Sequence, residues 1–99
     1  MKFKLKTYDN KNIYKILSEN KTVIFINRRT DDIDLFSKIL QAALGFDHDK
    51  CVSLYFKDII SLEIESIEKA KDYLKELSKY KYDINAQLFV NGWFEDENT

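Results

Sequence analysis

The sequence predicts a single α/β domain over residues 1–94, in which strands and helices alternate along the chain. The 99-residue length is typical of one domain. The chain has no proline and only two glycines, so few residues interrupt regular structure. Its apolar residues recur with a period of two in some segments and with helical spacing in others. We therefore expect the order β-α-β-α-β-α-β and a four-stranded, mostly parallel or mixed sheet with helices on its faces.

The first half of the chain contains two predicted strands and two predicted helices. Lysines alternate with apolar residues in KFKLKT, residues 2–7, which is typical of a strand at the edge of a sheet. A short helix is predicted over residues 9–17. The continuous apolar run TVIFIN, residues 22–27, predicts a central strand buried on both faces. A longer helix with two adjacent apolar stripes follows from Ile33 and ends at Gly45.

The second half continues the alternation. Residues 52–56, VSLYF, are interpreted as the third strand, and residues 57–65 fit either a strand or a helix. Ser66 precedes a clear helical pattern in which apolar residues line one side and charged residues cover the rest. Residues 84–90 alternate and predict the last strand. The acidic residues 95–99 are expected to be a frayed tail.

Composition favours a cytoplasmic protein that does not enter a membrane. A single cysteine excludes an internal disulfide and fits a reducing compartment. No apolar run approaches the roughly 20 residues of a membrane helix, and the first residues lack the apolar region of a secretory signal. The net charge is −1, yet residues 1–30 hold eight basic residues against two acidic ones. This basic third could face an acidic partner, or folding could intersperse it among the acidic segments.

The pair Arg28-Arg29 follows the predicted central strand, at a position where α/β folds often bind ligands. A phosphate site is disfavoured, because three aspartates (Asp31, Asp32 and Asp34) occupy the next helical turn and would repel an anion. The simplest interpretation is a hinge whose arginines pair with these aspartates. The functional alternative is that Arg28 and Arg29 contact the acidic patch of another protein.

Trp93 and Phe94 follow the last predicted strand, where large aromatic side chains near a chain end need a partner or a core. They could anchor a protein partner, since tryptophan is enriched in binding hot spots. They could equally fold back and close the core. The partner-binding candidates are therefore Arg28, Arg29, Trp93 and Phe94.

No catalytic, cofactor-binding or metal-binding residue is predicted. Asp47-His48-Asp49-Lys50-Cys51 gathers metal-ligand types, but one His and one Cys in the whole chain are too few for a typical transition-metal site, so a polar turn is expected there. Cys51 is interpreted as inert packing. Lys79-Tyr80-Lys81-Tyr82 interleaves basic and aromatic residues as in nucleic-acid binders. Because Tyr80 continues the helical stripe, we do not expect direct contact with nucleic acid.

The segments TVIFIN and LFSKILQAALGFDHDKCVSLYF together resemble the psi subunit of bacterial DNA polymerase III. That family carries an apolar strand, an acidic gap, a leucine-rich helix and a following strand at similar spacing. The resemblance covers about a third of the chain, over residues 23–56. It implies a non-catalytic α/β protein that bridges the clamp loader and the chi subunit.

The sequence therefore predicts a non-catalytic protein–protein interaction domain, in its most specific form an accessory subunit of a replication-type complex. The alternative is a small inhibitor, such as an immunity or phage counter-defence protein, that binds and blocks a toxin or a host nuclease. A second alternative is a small ligand-binding domain or enzyme that uses the carboxyl ends of the strands.

Overall fold

One antiparallel β-sheet organises the computed structural model, which describes residues 4–5, 21–57, 59–91 and 93–95. In this part of the chain the strands are β1 (Lys4–Leu5), β2 (Thr22–Arg28), β3 (Ile60–Glu63), β4 (Ile84–Val90) and β5 (Trp93–Glu95). Their spatial order is β1-β3-β2-β4-β5, and every neighbouring pair is antiparallel. β2 is central, and the short basic strand β1 lies at one edge, as the sequence predicted.

The described helices are α1 (Ile33–Leu44), α2 (His48–Tyr55) and α3 (Ile67–Ser78). Each begins after a residue whose side chain accepts hydrogen bonds from backbone N–H groups of the first turn; these residues are Asp32, Asp47 and Ser66. Such caps satisfy donors that have no partner within the helix. The helix predicted from Ile33 to Gly45 and the helix predicted after Ser66 are confirmed. None of the described helices combines the length and the apolar character needed to cross a bilayer.

The strand predicted at residues 52–56 is wrong, because residues 48–55 form α2. Asp47 Oδ1 accepts a hydrogen bond of 2.7 Å from Lys50 N and starts the helix. Cys51 and Leu54, three residues apart, both face the core. A short apolar run fits a strand as well as a helix, and here the cap and the three-residue spacing favour the helix. The third strand in chain order is instead β3, which lies within the segment 57–65 that the sequence left open.

The predicted four-stranded, mostly parallel or mixed sheet is also wrong, and α2 is the reason. α1 leads the chain away from the end of β2, and α2 leads it back, so that Tyr55 contacts Arg28. β3 therefore begins beside the end of β2, with Ile60 opposite Ile26, and runs antiparallel to it. A single helix, α3, then connects β3 to β4. These two strands consequently point the same way, but β2 lies between them and pairs antiparallel with both.

The main core lies between one face of the sheet and all three described helices, whereas the prediction placed helices on both faces. The helix predicted over residues 9–17 lies outside the described residues. The inward side chains of the sheet and of the helices form one buried cluster. The sheet contributes Ile24, Ile26, Ile60, Leu62, Ile84, Ala86 and Leu88, and the helices contribute Phe36, Ile39, Leu40, Leu44, Cys51, Leu54, Ala70, Leu74 and Leu77.

The opposite face of the sheet carries a smaller buried cluster of Val23, Phe25 and Phe89, against which Ile59 packs. The rings of Phe25 and Phe89 meet edge to face, with their centroids 6.3 Å apart. Side chains of β2 are thus buried on both faces of the sheet, as the continuous apolar run TVIFIN predicted.

At the end of α1, Gly45 has the backbone conformation that most restricts which residues can replace it. Its φ of 72° is left-handed, and its N–H donates to Gln41 O at 3.0 Å. Gly45→Ala should lower the free energy of unfolding by about 1 kcal/mol, because a Cβ is disfavoured in this conformation. Gly45→Asn should cost less, since asparagine tolerates it better. Urea denaturation of both variants checks this, and equal losses would contradict it.

Candidate functional site

Arg28 is held between the end of β2 and the end of α2. Its Nε donates a 2.9 Å hydrogen bond to the carbonyl oxygen of Tyr55. The guanidinium carbon lies 4.4 Å from the centroid of the Tyr55 ring, in cation–π contact. The Nη1 atom is 3.9 Å from Asp31 Oδ1. The position of this guanidinium is thus fixed mainly by Tyr55, and the pairing with aspartates predicted from the sequence is a long, exposed contact.

Arg29 joins the end of β2 to the turn that precedes β4. Its backbone N–H donates to Asp83 O at 2.7 Å, and its Nη1 donates to Lys81 O at 2.6 Å. Thr30 N donates to the same Asp83 carbonyl at 3.1 Å. These bonds give Arg29 a structural role, and they bring the turn at residues 79–83 to the same end of the sheet as Arg28.

Tyr55 connects the buried core to an exposed aromatic surface. Its hydroxyl donates to Asp31 O at 2.9 Å, which ties α2 to the segment before α1. Its ring meets Phe36 edge to face at 5.6 Å, on the core side, and Phe56 at 5.3 Å. Phe36 is fully buried, whereas Phe56 is 72% exposed. Arg28, Tyr55 and Phe56 therefore form one continuous packed group, whose outer members are a cation and an exposed ring.

Tyr82 adds a second exposed aromatic ring at this end of the sheet. It is 81% exposed, and the ammonium of Lys81 lies 5.3 Å from its ring centroid. Its place is set by the neighbouring Asp83, whose carbonyl accepts the hydrogen bonds from the chain after β2. We call the surface formed by Arg28, Arg29, Phe56 and Tyr82 the arginine end of the sheet.

The structure does not bring the two predicted pairs of contact residues together. Trp93 pairs with Val90, which lies opposite Thr22, whereas Arg28 lies opposite Ile84. Six residues of strand separate these positions, which is about 20 Å at ~3.3 Å per residue. Trp93 is 76% exposed and occupies the edge strand β5 at the opposite end of the sheet. Phe94 lies in β5 opposite Phe89, and its side chain is outside the described part of the structure.

The segment from Asp47 to Cys51 begins a helix, whereas the sequence predicted a polar turn before a strand. Asp47 caps α2, His48 is its exposed first residue and Cys51 is fully buried in the core. The segment does not gather its metal-ligand types at one point. Across the described ranges, no group of three or more His, Cys, Asp and Glu side chains is arranged to hold a metal ion.

Phe56 and Tyr82 were not among the residues selected from the sequence. The strand assigned to residues 52–56 placed Phe56 on the same face as Val52 and Leu54, an apolar face that is expected to point into the core. Recognising Asp47 as a helix cap would have put Phe56 just past the end of α2. Tyr82 follows α3 within Lys79-Tyr80-Lys81-Tyr82. Of its two tyrosines, Tyr80 packs against the core and Tyr82 is exposed.

The thiol of Cys51 is expected to be unreactive in the folded protein. Burial, with a smaller contribution from the nearby Asp47 carboxylate, raises the pKa of this thiol from 9.0 to about 11. Thiolate is therefore roughly 100-fold scarcer at pH 8 in the folded protein than in the unfolded chain. Labelling by a disulfide reagent at pH 8 should be slow until denaturant is added. Fast labelling without denaturant would contradict the buried position.

Because of the same thiol, the free energy of unfolding should fall at alkaline pH. The folded state holds the thiol proton more tightly than the unfolded chain does. The contribution of the thiol to the free energy of unfolding is therefore complete below pH 9 and is lost as the pH rises toward 11. Cys51→Ala is the control: urea denaturation between pH 8 and pH 11 should show a steeper loss for the parent protein than for this variant.

No protein-family model, curated protein or solved structure matches this chain.

Proposed function

We propose that this chain is a cytoplasmic, non-catalytic protein-binding domain whose contact surface is the arginine end of the sheet. The observation that carries the proposal is the exposed ring of Phe56, packed on the same Tyr55 ring that holds the guanidinium of Arg28. Aromatic residues and arginine are the side chains most enriched at the centres of protein interfaces.

The exposed rings supply the apolar area that a partner could bury. Phe56 and Tyr82 are 72% and 81% exposed, respectively. Leaving a phenylalanine side chain in water forgoes about 1.5–3 kcal/mol that burial would provide. Phe56 is also supported by its edge-to-face contact with Tyr55, at a centroid distance of 5.3 Å. A partner that covers this ring therefore gains apolar burial at a position that is already ordered.

The arginines supply polar groups at defined positions. Arg28 donates to Tyr55 O, and Arg29 donates to Lys81 O. Each bond restricts a long side chain before any partner arrives. Immobilising a free side chain on binding costs about 0.5–1.5 kcal/mol of conformational entropy. Because these two arginines are already restricted, that cost is smaller for them.

Mixed charge at the arginine end favours a protein over a nucleic acid as the partner. Asp31, Asp32 and Asp34 are exposed close to Arg28, and Asp83 adjoins Tyr82. A nucleic-acid surface needs a groove or patch in which basic residues prevail, because neutralisation of phosphates provides most of its affinity. Alternating signs instead suit the polar rim of a protein interface, where they set orientation and specificity.

The experiment that tests this function is affinity purification of the whole chain from extracts of its source cells, followed by mass spectrometry. Phe56→Ser with Tyr82→Ser is compared with Trp93→Ser, which removes an equally exposed ring at the opposite end of the sheet. A specific protein should be retained by the parent chain and by Trp93→Ser, and lost with the double variant. Loss with Trp93→Ser alone would place the contact surface at β5 instead.

The identity of the captured protein separates the two forms of this role. Replication proteins would support an accessory subunit, the form that the sequence resemblance implies. A toxin or a nuclease would support an inhibitor. Failure to retain any protein, together with a measured catalytic activity of the pure chain, would overturn the proposal.

A further inference from the structure

The guanidinium of Arg28 is firmly positioned on one side and weakly paired on the other. Tyr55 provides both firm contacts, the 2.9 Å hydrogen bond from Nε and the stacked ring at 4.4 Å. Among the residues that the structure describes, Asp31 is the acidic group within 4.0 Å of the terminal nitrogens. Their separation is 3.9 Å, and the side chain of Asp31 is fully exposed.

With respect to the described part of the chain, such a contact leaves most of the binding capacity of the guanidinium unused. Hydrogen bonds from a guanidinium to a carboxylate are about 2.7–2.9 Å long, so a 3.9 Å approach is an ion pair without a hydrogen bond. A guanidinium has five N–H donors in a planar fork that fits a carboxylate at two points. Arg28 uses one of these donors on Tyr55, and the structure records no further hydrogen bond from it to the described residues.

Phe56 places an apolar contact on the same tyrosine ring that holds this cation. Arg28 and Phe56 both pack against Tyr55, the first over its ring and the second edge to face. A ligand that covers the Tyr55 ring from outside can therefore meet both a charged fork and an exposed ring. The matching ligand carries a single negative charge beside a large apolar side chain.

We infer that Arg28 is the carboxylate-binding subsite of the arginine end, and that Asp31 competes for it from within the chain. The occupant is a segment of a protein partner in which an Asp or Glu side chain adjoins a large apolar residue. This inference rests on the proposed protein-binding function. It specifies the chemistry of the partner segment, and it identifies Asp31 as a residue that weakens the binding of that segment to Arg28.

A carboxylate fits this position better than a phosphate. Asp32 and Asp34 are exposed in the turn after Asp31 and repel a doubly charged anion more strongly than a singly charged one. The start of α1 gives an anion little help, because Asp32 Oδ1 already accepts from Asp34 N at 3.0 Å and from Leu35 N at 3.1 Å. The site therefore depends on the guanidinium itself.

The test uses a small probe and does not need the partner. N-acetylphenylalanine has a carboxylate beside a phenyl ring, and N-acetylphenylalaninamide is the same molecule without the charge. Each is titrated into the whole chain while the Arg28 side-chain Nε–H and the backbone N–H groups are followed by NMR. The acid should shift the signals of Arg28 and Phe56 saturably, and the amide should not. Equal responses to the acid and the amide would overturn the inference, as would tighter binding of inorganic phosphate.

Asp31→Asn is the decisive variant. It removes the competing charge with little change of shape, and it should lower the dissociation constant of the acid about two- to fivefold, the size expected for an exposed ion pair. Asp49→Asn makes the same change of net charge at the start of α2 and should leave the constant nearly unchanged. Arg28→Lys, with its fold checked by the same spectra, should abolish the specific shifts. An unchanged constant in Asp31→Asn would contradict the role of Asp31.

The two proposals fail in different ways. If a partner is captured through Phe56 but Asp31→Asn does not tighten its binding, the carboxylate subsite is wrong and the protein-binding function stands. If the probe binds as described but no protein is captured and the pure chain proves catalytic, Arg28 is still a carboxylate site, but the protein-binding function and the protein occupant are wrong.

Discussion

Phe36→Ala is expected to lower the free energy of unfolding by about 3–5 kcal/mol. The Phe36 side chain is fully buried in the main core and contacts the ring of Tyr55. Its removal leaves a cavity between α1 and α2 and also withdraws the support behind Arg28. Domains of this size are stable by only about 5–15 kcal/mol in total, so the variant should be close to unfolding. Urea denaturation followed by circular dichroism measures the loss.

Phe56→Ala is the matched control for this prediction. Phe56 packs on the same tyrosine ring with nearly the same edge-to-face geometry, but it is 72% exposed. Its loss should cost less than about 1 kcal/mol, because only the aromatic contact and a little buried area disappear. Similar losses for Phe36→Ala and Phe56→Ala would mean that Phe56 is covered in the folded protein, and would remove the basis of the binding surface.

The same Phe56→Ala variant should weaken binding to the captured partner by about 10- to 30-fold, which is the range between an ordinary contact and a hot spot. The physical reason is the loss of an exposed ring that the partner buries. Isothermal titration calorimetry with purified partner provides the measurement. Trp93→Ala removes a ring that is 76% exposed at the other end of the sheet and should change the affinity less than twofold.

If Trp93→Ala weakens binding and Phe56→Ala does not, the interface lies at β5. In that case β5, with the exposed Trp93 as its anchor, would be the surface that the partner covers. Comparing the two aromatic residues therefore locates the contact surface whichever variant loses affinity.

Segments with long, regular apolar patterns were predictable from the sequence. TVIFIN indicated a central strand buried on both faces, and β2 occupies that position. Gly45 and Ser66 marked the end of α1 and the start of α3 because each has a local geometric role, as a left-handed residue and as a helix cap. Local chemistry decides these features, so a single sequence is enough to find them.

The direction of the strands was not predictable once α2 had been taken for a strand. One helix between two strands returns the chain to its starting end and permits parallel pairing, whereas two helices leave it at the far end and impose antiparallel pairing. The eight residues from His48 to Tyr55 therefore decide the topology of the whole sheet. Their pattern is short and ambiguous, and the signal that resolves it is the cap at Asp47.

The candidate site was predictable only in part, for the same physical reason. The sequence placed Arg28 and Arg29 correctly at the end of a strand. It did not show that Arg28 contacts Tyr55, 27 residues away, or that Arg29 contacts Lys81, 52 residues away. Contacts of this kind arise from how the elements pack and leave no periodic signal. Phe56 becomes a candidate contact residue only through its packing on Tyr55, the residue that also holds Arg28.

The most direct measurement is site-specific photo-crosslinking of the whole chain in its source cells. A benzophenone amino acid is introduced at position 56 in one version of the chain and at position 93 in another. Both positions are exposed, and they lie at opposite ends of the sheet. A protein-binding arginine end predicts a discrete crosslinked protein from position 56 that is absent from position 93. A discrete product from position 93 alone, or no product from either position, would contradict it.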